Sequence, residues 1–199
     1  MTPQEATDRA QRRRRADAER SIARILDAAV EALAEDPDAS MSAIARRAGV
    51  VRATVYVHYP TREDLIAAVT ERAIHEVAAV IDGAEPERGE PVEALRRVVG
   101  ATWRTLGRYH ALVAITTSTH TADELHARHA PVLGRLVPLI ERGQTAGVFR
   151  ADVPTSWHLG MLLGLIHAAS GEVSGARIPG DDAEAAVIAT VLGAIATRH

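Results

Sequence analysis

The chain has 199 residues, no cysteine, 23 arginines and no lysine, and a formal net charge of −3. Residues 1–62 hold 11 Arg against 9 acidic residues, whereas residues 63–199 hold 12 against 17, so the N-terminal third is the part suited to meet a polyanion. The missing cysteines exclude a disulfide framework and a zinc finger and fit a reducing cytoplasm, and the length leaves room for a small domain joined to a larger one.

The periodicity is helical nearly throughout. The run "RRRR" at 12–15 reads either as an arm that tracks phosphate or enters a minor groove, or as a solvated extension of the first helix. Ile22, Ile25, Leu26, Ala29, Val30 and Leu33 recur on one helix face, and that helix is predicted to end near Asp36, before Pro37. Ser40 caps a short second helix carrying Met41, Ile44, Ala45 and Ala48, and Gly49 ends it, because glycine adopts the left-handed conformation without steric cost. A third helix is predicted from about Arg52 to Tyr59, where Pro60 stops it. Thr61 and Asp64 form a capping-box pattern for a fourth helix, which carries Leu65, Ile66, Val69, Val77 and Val80 and ends near Asp82.

The stretch "DGAEPERGEP" (82–91) reads as a loop. Further helices are predicted over 91–107, 109–119, 122–145, 155–173 and 182–197. No period-2 strand and no internal repeat is visible, so the fold class is all-α. No apolar segment of signal-peptide type follows the start, and the longest uncharged stretch, 157–171, is too short to span a bilayer and carries two histidines. A cytoplasmic protein without membrane contact is expected.

The second helix, the Gly49 turn and the third helix have the form of a helix-turn-helix. In this motif the N-terminal residues of the second helix meet base edges in the major groove, and here they are Arg52, Ala53 and Thr54. Arginine can donate two hydrogen bonds to guanine, and the small Ala53 lets the backbone approach. Thr54 brings a hydroxyl for phosphate or base and a methyl for thymine. Tyr56 and His58 end in polar groups that reach phosphate oxygens and set register. Arg62 sits in the first turn of the fourth helix, where free backbone N–H groups also favour phosphate, and Ser40 joins the candidate contacts. Val55 and Tyr59 should pack inward. The alternative is a plain three-helix core with solvated polar residues, or one whose helix-turn-helix contacts protein.

The sequence "RILDAAVEALAED…MSAIARRAGVVRATVYVHYPTREDLIAAV" resembles the DNA-binding domain of the tetracycline-repressor (TetR/AcrR) family over about residues 20–70. Ile44-Ala45, Ala48-Gly49-Val50, Thr54-Val55-Tyr56, His58-Tyr59 and Thr61 to Leu65 carry the likeness. Downstream, "RGQTAGVFRADVP" looks like a linker common in that family's C-terminal domains. The resemblance implies a helix-turn-helix domain at 1–62 and a helical ligand-binding and dimerisation domain at 63–199. It implies DNA contacts at Arg52, Ala53, Thr54, Tyr56, Val57, His58 and Arg62. Val51 departs from the usual Ser or Thr and leaves the third helix without a side-chain cap, at a typical cost of ~1 kcal/mol. Val57 stands where a polar or aromatic residue is common, and Arg62 replaces Lys and keeps the charge.

In the second half, Gly160, Gly164 and Ala168 recur every four residues in the uncharged helix and allow close helix approach. A helix apolar all round must be buried on more than one side. With Val187, Val191 and Ile195 of the last helix they are the candidate dimer interface, a four-helix contact as the resemblance implies. The competing reading makes the uncharged helix the centre of its own domain.

Candidate ligand residues are Trp103, His110, Thr116, Thr117, His120, His129, Trp157 and His167, polar tips among apolar neighbours. His126 and His129, with His120 nearby, raise a metal site. Without Cys, and with no acidic residue clearly on the same face, neither a metal nor any other cofactor is expected. No nucleophile motif, phosphate loop or paired carboxylate is visible. The expected protein is a homodimeric repressor that binds a palindromic operator in double-stranded DNA and is released by a small organic effector. The rival is an all-α small-molecule-binding protein or enzyme without DNA binding.

Overall fold

The computed structural model describes residues 3–197, apart from the side chains of residues 3–8, 10, 14 and 181. Among the described residues there are ten α-helices and one isolated β-bridge. The chain divides into two compact units, Met1–Thr70 and Glu71–His199.

The first unit contains α1 (Pro3–Glu35), α2 (Met41–Arg47), α3 (Arg52–His58) and the start of α4 (Arg62–Gly83). Its core is the predicted stripe: Ile25, Ala29 and Leu33 of α1, Ile44 and Ala45 of α2, Val55 of α3, and Leu65 and Val69 of α4, all buried. α1 packs on α2 and α2 on α3. Each fully buried aliphatic side chain contributes roughly 1.5–3 kcal/mol. Arg47 of α2 donates to Glu35 of α1 at 2.9 Å, a pair screened by solvent.

The turn chemistry follows the sequence. Ser40 Oγ accepts the Ala43 N–H at 3.2 Å and starts α2. Gly49 has φ +64°, which a side chain would strain, and it turns the chain into α3. Val51 occupies the N-cap of α3 in extended conformation and offers no side-chain bond. At the start of α4, Thr61 N–H and Oγ1 donate to Asp64 at 3.0 and 2.8 Å, and Asp64 N–H returns to Thr61 Oγ1 at 3.0 Å.

The second unit contains the rest of α4, then α5 (Pro91–Leu106), α6 (His110–Thr119), α7 (Ala122–Leu133), α8 (Val137–Thr145), α9 (Thr155–Ser174) and α10 (Gly180–Ile195). α5 packs on α8 and α10, and α9 packs on α6, α8 and α10. The 82–91 loop is held by arginines: Arg97 Nη2 donates to the Arg88 carbonyl at 2.9 Å and Arg142 Nη2 to that of Pro86 at 2.8 Å.

Two sequence expectations need correction here. The single helix expected over 122–145 is two, α7 and α8, separated by a 3-10 turn at Gly134–Leu136. Pro138 has no N–H to donate and its ring would crowd the carbonyl of Gly134, so a continuous helix is disfavoured while the first turn of a new one accepts it. The segment read as a linker after α8 is a packed strap. Phe149 is only 1% exposed, and its ring fills the space over Gly143, where a Cβ would lie 1.9 Å from it. Arg150 N–H donates to the Ile195 carbonyl at 2.9 Å, and Thr197 N–H to that of Val148 at 3.2 Å, so the strap pins the end of α10. His158 Nε2–H secures the strap from α9 through the Arg150 carbonyl at 2.9 Å.

Candidate nucleic-acid interface and effector cluster

Within the first unit, α3 buries Val55 and turns Arg52, Ala53 and Val57 to solvent, Val57 to 78%. Thr54, Tyr56 and His58 are half-buried at the edges of that face. Arg52 and Tyr56 lie one turn apart. The guanidinium carbon sits 5.0 Å from the Tyr56 ring centre, and Nη2 donates to Tyr56 Oη at 3.0 Å. This exposed contact is worth roughly 0.5–1 kcal/mol and narrows the rotamers of Arg52 before any partner arrives. The His58 ring lies 6.3 Å from that of Tyr59. Arg62 donates one Nη2 hydrogen bond to the Pro37 carbonyl, which ties the first turn of α4 to the turn that leads to exposed Ser40. The face therefore joins a fixed arginine fork, a small residue and several hydroxyl or ring-nitrogen tips on one short helix. The Arg12–Arg15 run continues α1; Arg12, Arg13 and Arg15 are exposed, and the Arg14 side chain lies outside the described residues.

In the second unit the polar candidates separate into groups. Trp103 of α5 is buried, its ring centre 4.6 Å from that of His110, and its indole N–H donates to the Gly180 carbonyl at 3.3 Å. His110 Nδ1 lies 3.1 Å from Ser170 Oγ of α9, a buried hydroxyl that the sequence reading did not single out. His129 of α7 meets His167 of α9 edge to face at 5.1 Å. His129 Nδ1 is 2.7 Å from the Leu125 carbonyl, so Nδ1 carries the proton and Nε2 remains an acceptor. Buried Thr116 bonds the Leu112 carbonyl at 3.0 Å, and His120 Nδ1 donates to the Thr116 carbonyl at 3.0 Å. Thr117 is exposed and Trp157 is 64% exposed, so neither joins these groups.

Burial sets the protonation of the cluster. It lowers His110, and it lowers His129 against the pull of the Leu125 hydrogen bond. Burial, with His129 alongside, brings His167 down to about 4. At neutral pH all three are uncharged rings, able both to donate and to accept.

Glu76 of α4 forms a second polar knot with Arg108 and Tyr109, the two residues before His110. It accepts hydrogen bonds from Tyr109 at 2.8 Å, from Arg72 at 3.0 Å and from Arg108. Burial alone would raise the Glu76 carboxyl, but these donors outweigh it and hold it below the usual range. Burial and the same carboxylate push Tyr109 up to about 12. The pattern Arg72-x3-Glu76 is a visible helical pair; its tertiary partners at 108 and 109 carry no local signal. A separate cavity of about 330 Å³ lies between residues 71–82 of α4 and residues 128–135 of α7 and the turn after it, with Arg135 paired to Asp82 at 3.0 Å. Among the described residues no group of three or more His, Asp or Glu is placed to hold a metal ion. No helix among them is long and apolar enough to cross a membrane.

The candidate association residues split by face. On α9, Gly160 is half-exposed and Gly164 and Ala168 are exposed, and a Cβ built on either glycine meets nothing within 4 Å. On α10, Val187, Val191 and Ile195 are at most 2% exposed and belong to the core of their own unit. The free face of α10 instead carries Ala185, Ala186, Ala189, Thr190, Gly193 and Ala194. Helical period explains the difference: large residues at four-residue spacing are claimed by the core, and small ones are left outside.

A helix-turn-helix with an exposed, arginine-bearing recognition face, followed by a helical unit with a neutral polar interior, defines a DNA-binding transcriptional regulator. Residues 25–69 match the family model of bacterial regulatory proteins, tetR family. The transcriptional repressor LfrR of Mycolicibacterium smegmatis is 36% identical over 140 residues, covering 70% of this chain and 71% of the repressor. The regulator NfxB of Pseudomonas aeruginosa is 26% identical over 149 residues, covering 72% and 78% of the two chains. The crystal structure of LfrR from Mycobacterium smegmatis in complex with proflavine superposes with a TM-score of 0.69 at 30% identity, over 90% of this chain and 99% of that one. The chain belongs to the TetR family of transcriptional regulators and is not an enzyme.

Proposed function

We propose that the protein is a homodimeric repressor whose α3 reads a palindromic operator and whose second unit binds a small organic effector that releases DNA. The observation that carries this reading is the exposed α3 face, on which Arg52 is held against Tyr56 while Val55 anchors the helix. Residues 1–62 act as the DNA-binding domain and 63–199 as the effector and dimerisation domain. Arg52, Ala53, Thr54 and Val57 face bases; Ser40, Tyr56, His58 and Arg62 serve the phosphates. The effector site is built on His110, Thr116, His129 and His167, with Trp103 and Ser170 as neighbours, and neutral rings suit an organic molecule better than a metal ion. The proflavine complex of LfrR supports a small organic effector. The exposed Gly160, Gly164 and Ala168 face of α9, with the small residues of α10, forms the dimer contact. The dimer sets two α3 helices about 34–36 Å apart, or a multiple of it, to meet successive major-groove faces. α4 runs from the DNA-binding residues into the effector domain, and an effector acts by its difference in affinity for two positions of that helix.

Selection of bound duplexes from random DNA tests the reading. Wild type should recover an inverted repeat, and Arg52→Ala should lose preference at one position of each half-site, by ~1–3 kcal/mol. Compounds are then screened for release of that duplex. Recovery of no sequence would remove the operator reading; equal weakening by Arg52→Ala on all sequences would make Arg52 a phosphate contact.

A further inference from the structure

α1 is 33 residues long, yet its first buried residue is Ile25. Every described side chain from Arg9 to Arg20 is exposed. At 1.5 Å per residue, residues 3–20 add roughly 27 Å of helix before the core begins. A polar helix without a packed face is marginal by itself, so its own unit does not explain it.

The sequence of this extension narrows what it fits. Residues 3–21 contain no Val, Leu, Ile, Met, Phe, Tyr or Trp. An amphipathic helix that enters a lipid surface needs an apolar face, and so does one that packs on another protein helix. Neither is offered. Residues 9–16, "RAQRRRRA", hold five arginines and no acid, with Asp8 and Asp17 outside that window. Arg20 is already paired with Asp17. At 3.6 residues per turn, Arg9, Arg12, Arg13 and Arg15 fall within an arc of roughly 160°, one side of the helix, so a single extended polyanion can meet all four. The extension belongs to the same compact unit as α3, and duplex DNA is the polyanion that α3 meets.

We propose that the arginine-bearing first turns of α1 are a second DNA-binding element, which contacts phosphates without reading bases and adds to the affinity of α3. The proposal rests on the operator reading above. It assigns Arg9, Arg12, Arg13 and Arg15 to the phosphate backbone. Such contacts release counterions, and each steepens the fall of log affinity with log salt by roughly 0.9.

The test uses the full-length protein and the duplex recovered by selection. Three forms are compared across a salt series: wild type, a variant with Arg9, Arg12, Arg13 and Arg15 all changed to Gln, and one with all four changed to Lys. Gln keeps helix propensity and removes charge; Lys keeps both. The Gln variant should show a slope shallower by roughly 1–4 for each subunit, with unchanged base preference. The Lys variant should restore the slope. An unchanged slope in the Gln variant overturns the proposal and leaves a solvated helix. Altered base preference also overturns it, since the arginines would then read sequence. Loss of binding to phosphatidylglycerol vesicles with an unchanged DNA slope would assign the segment to a membrane surface and overturn it too. Wild type that shows no salt-dependent DNA binding would remove the operator reading itself, a result distinct from these.

Discussion

The two units place their polar groups in opposite ways. On α3 they lie at the surface, half-buried around an exposed arginine, on seven consecutive residues. In the second unit His110, His167 and Ser170 are buried, drawn from helices 60 residues apart, and the rings are neutral. The contrast suits the partners proposed for each unit. A phosphate backbone is large, charged and external, so the groups that meet it need charge and exposure. A small organic molecule gains most from removal from water, and a polar group that waits for it in the interior must be uncharged and hydrogen-bonded meanwhile.

The interior unit should therefore depend on packing at places far from any motif. Phe149 is the sharpest case. Phe149→Ala empties the space over Gly143 and loosens the strap on the end of α10, at an expected ~3–5 kcal/mol. Scanning calorimetry should show the loss in the second unit, with the first unit spared. A loss below 1 kcal/mol would mean that the strap is only a connection.

The buried imidazoles give the interior an acid weakness. Unfolded, His167 titrates near 6.5; folded, it titrates at about 4. Above pH 6.5 both states are neutral and its contribution is complete. As pH falls from 6.5 toward 4, the unfolded chain takes up a proton that the folded chain refuses, so stability declines, and it flattens below 4. His167 alone should account for a loss on the order of 2–3 kcal/mol, with His110 and His129 acting in the same direction. Denaturant melts of wild type and His167→Gln at pH 7 and pH 4.5 check this. The variant should lose less on acidification; equal losses would place the cause in other groups.

Gly164 separates the fold of one protomer from the association of two. Its Cβ position is open, so Gly164→Leu should leave the protomer's thermal unfolding nearly unchanged. In the proposed dimer the new side chain would enter a seam between helices, at ~1–3 kcal/mol. Sedimentation against concentration should show a weaker dimer, and operator affinity should fall with it because two linked half-sites bind better than one. Equally tight dimers in wild type and variant would move the interface away from α9.

Why one unit was legible and the other less so comes down to range. Ser40, Gly49, Thr61 and Asp64 act on neighbours within three residues, and all four were readable. The all-α class and the α9 and α10 helices were readable from periodicity. The break at Gly134–Leu136 was missed because a 3.6-residue pattern continues across it, though Pro138 was its signal. Ser170 and Glu76 were missed because their partners lie 60 and 32–33 residues away. Val187, Val191 and Ile195 were read as an interface because apolar residues look the same to the sequence whether their cover is their own core or a second chain.

The smallest effect concerns the one place where α3 departs from local rules. Val51 is the N-cap of α3, 70% exposed, in the extended backbone conformation that a capping residue needs. Its carbonyl already accepts the Thr54 N–H at 2.9 Å, but its side chain can accept nothing. Val51→Ser would place an oxygen within reach of the free N–H groups of the first turn, without disturbing a buried contact. The expected gain is ~0.5–1 kcal/mol in the stability of the first unit. It should appear in hydrogen exchange as slower opening at Ala53 and Thr54. Because Ala53 and Thr54 face DNA in the proposed complex, a firmer first turn should also raise operator affinity slightly while leaving the second unit untouched. A variant less stable than wild type would show that exposed Val51 makes a contact worth more than the missing cap.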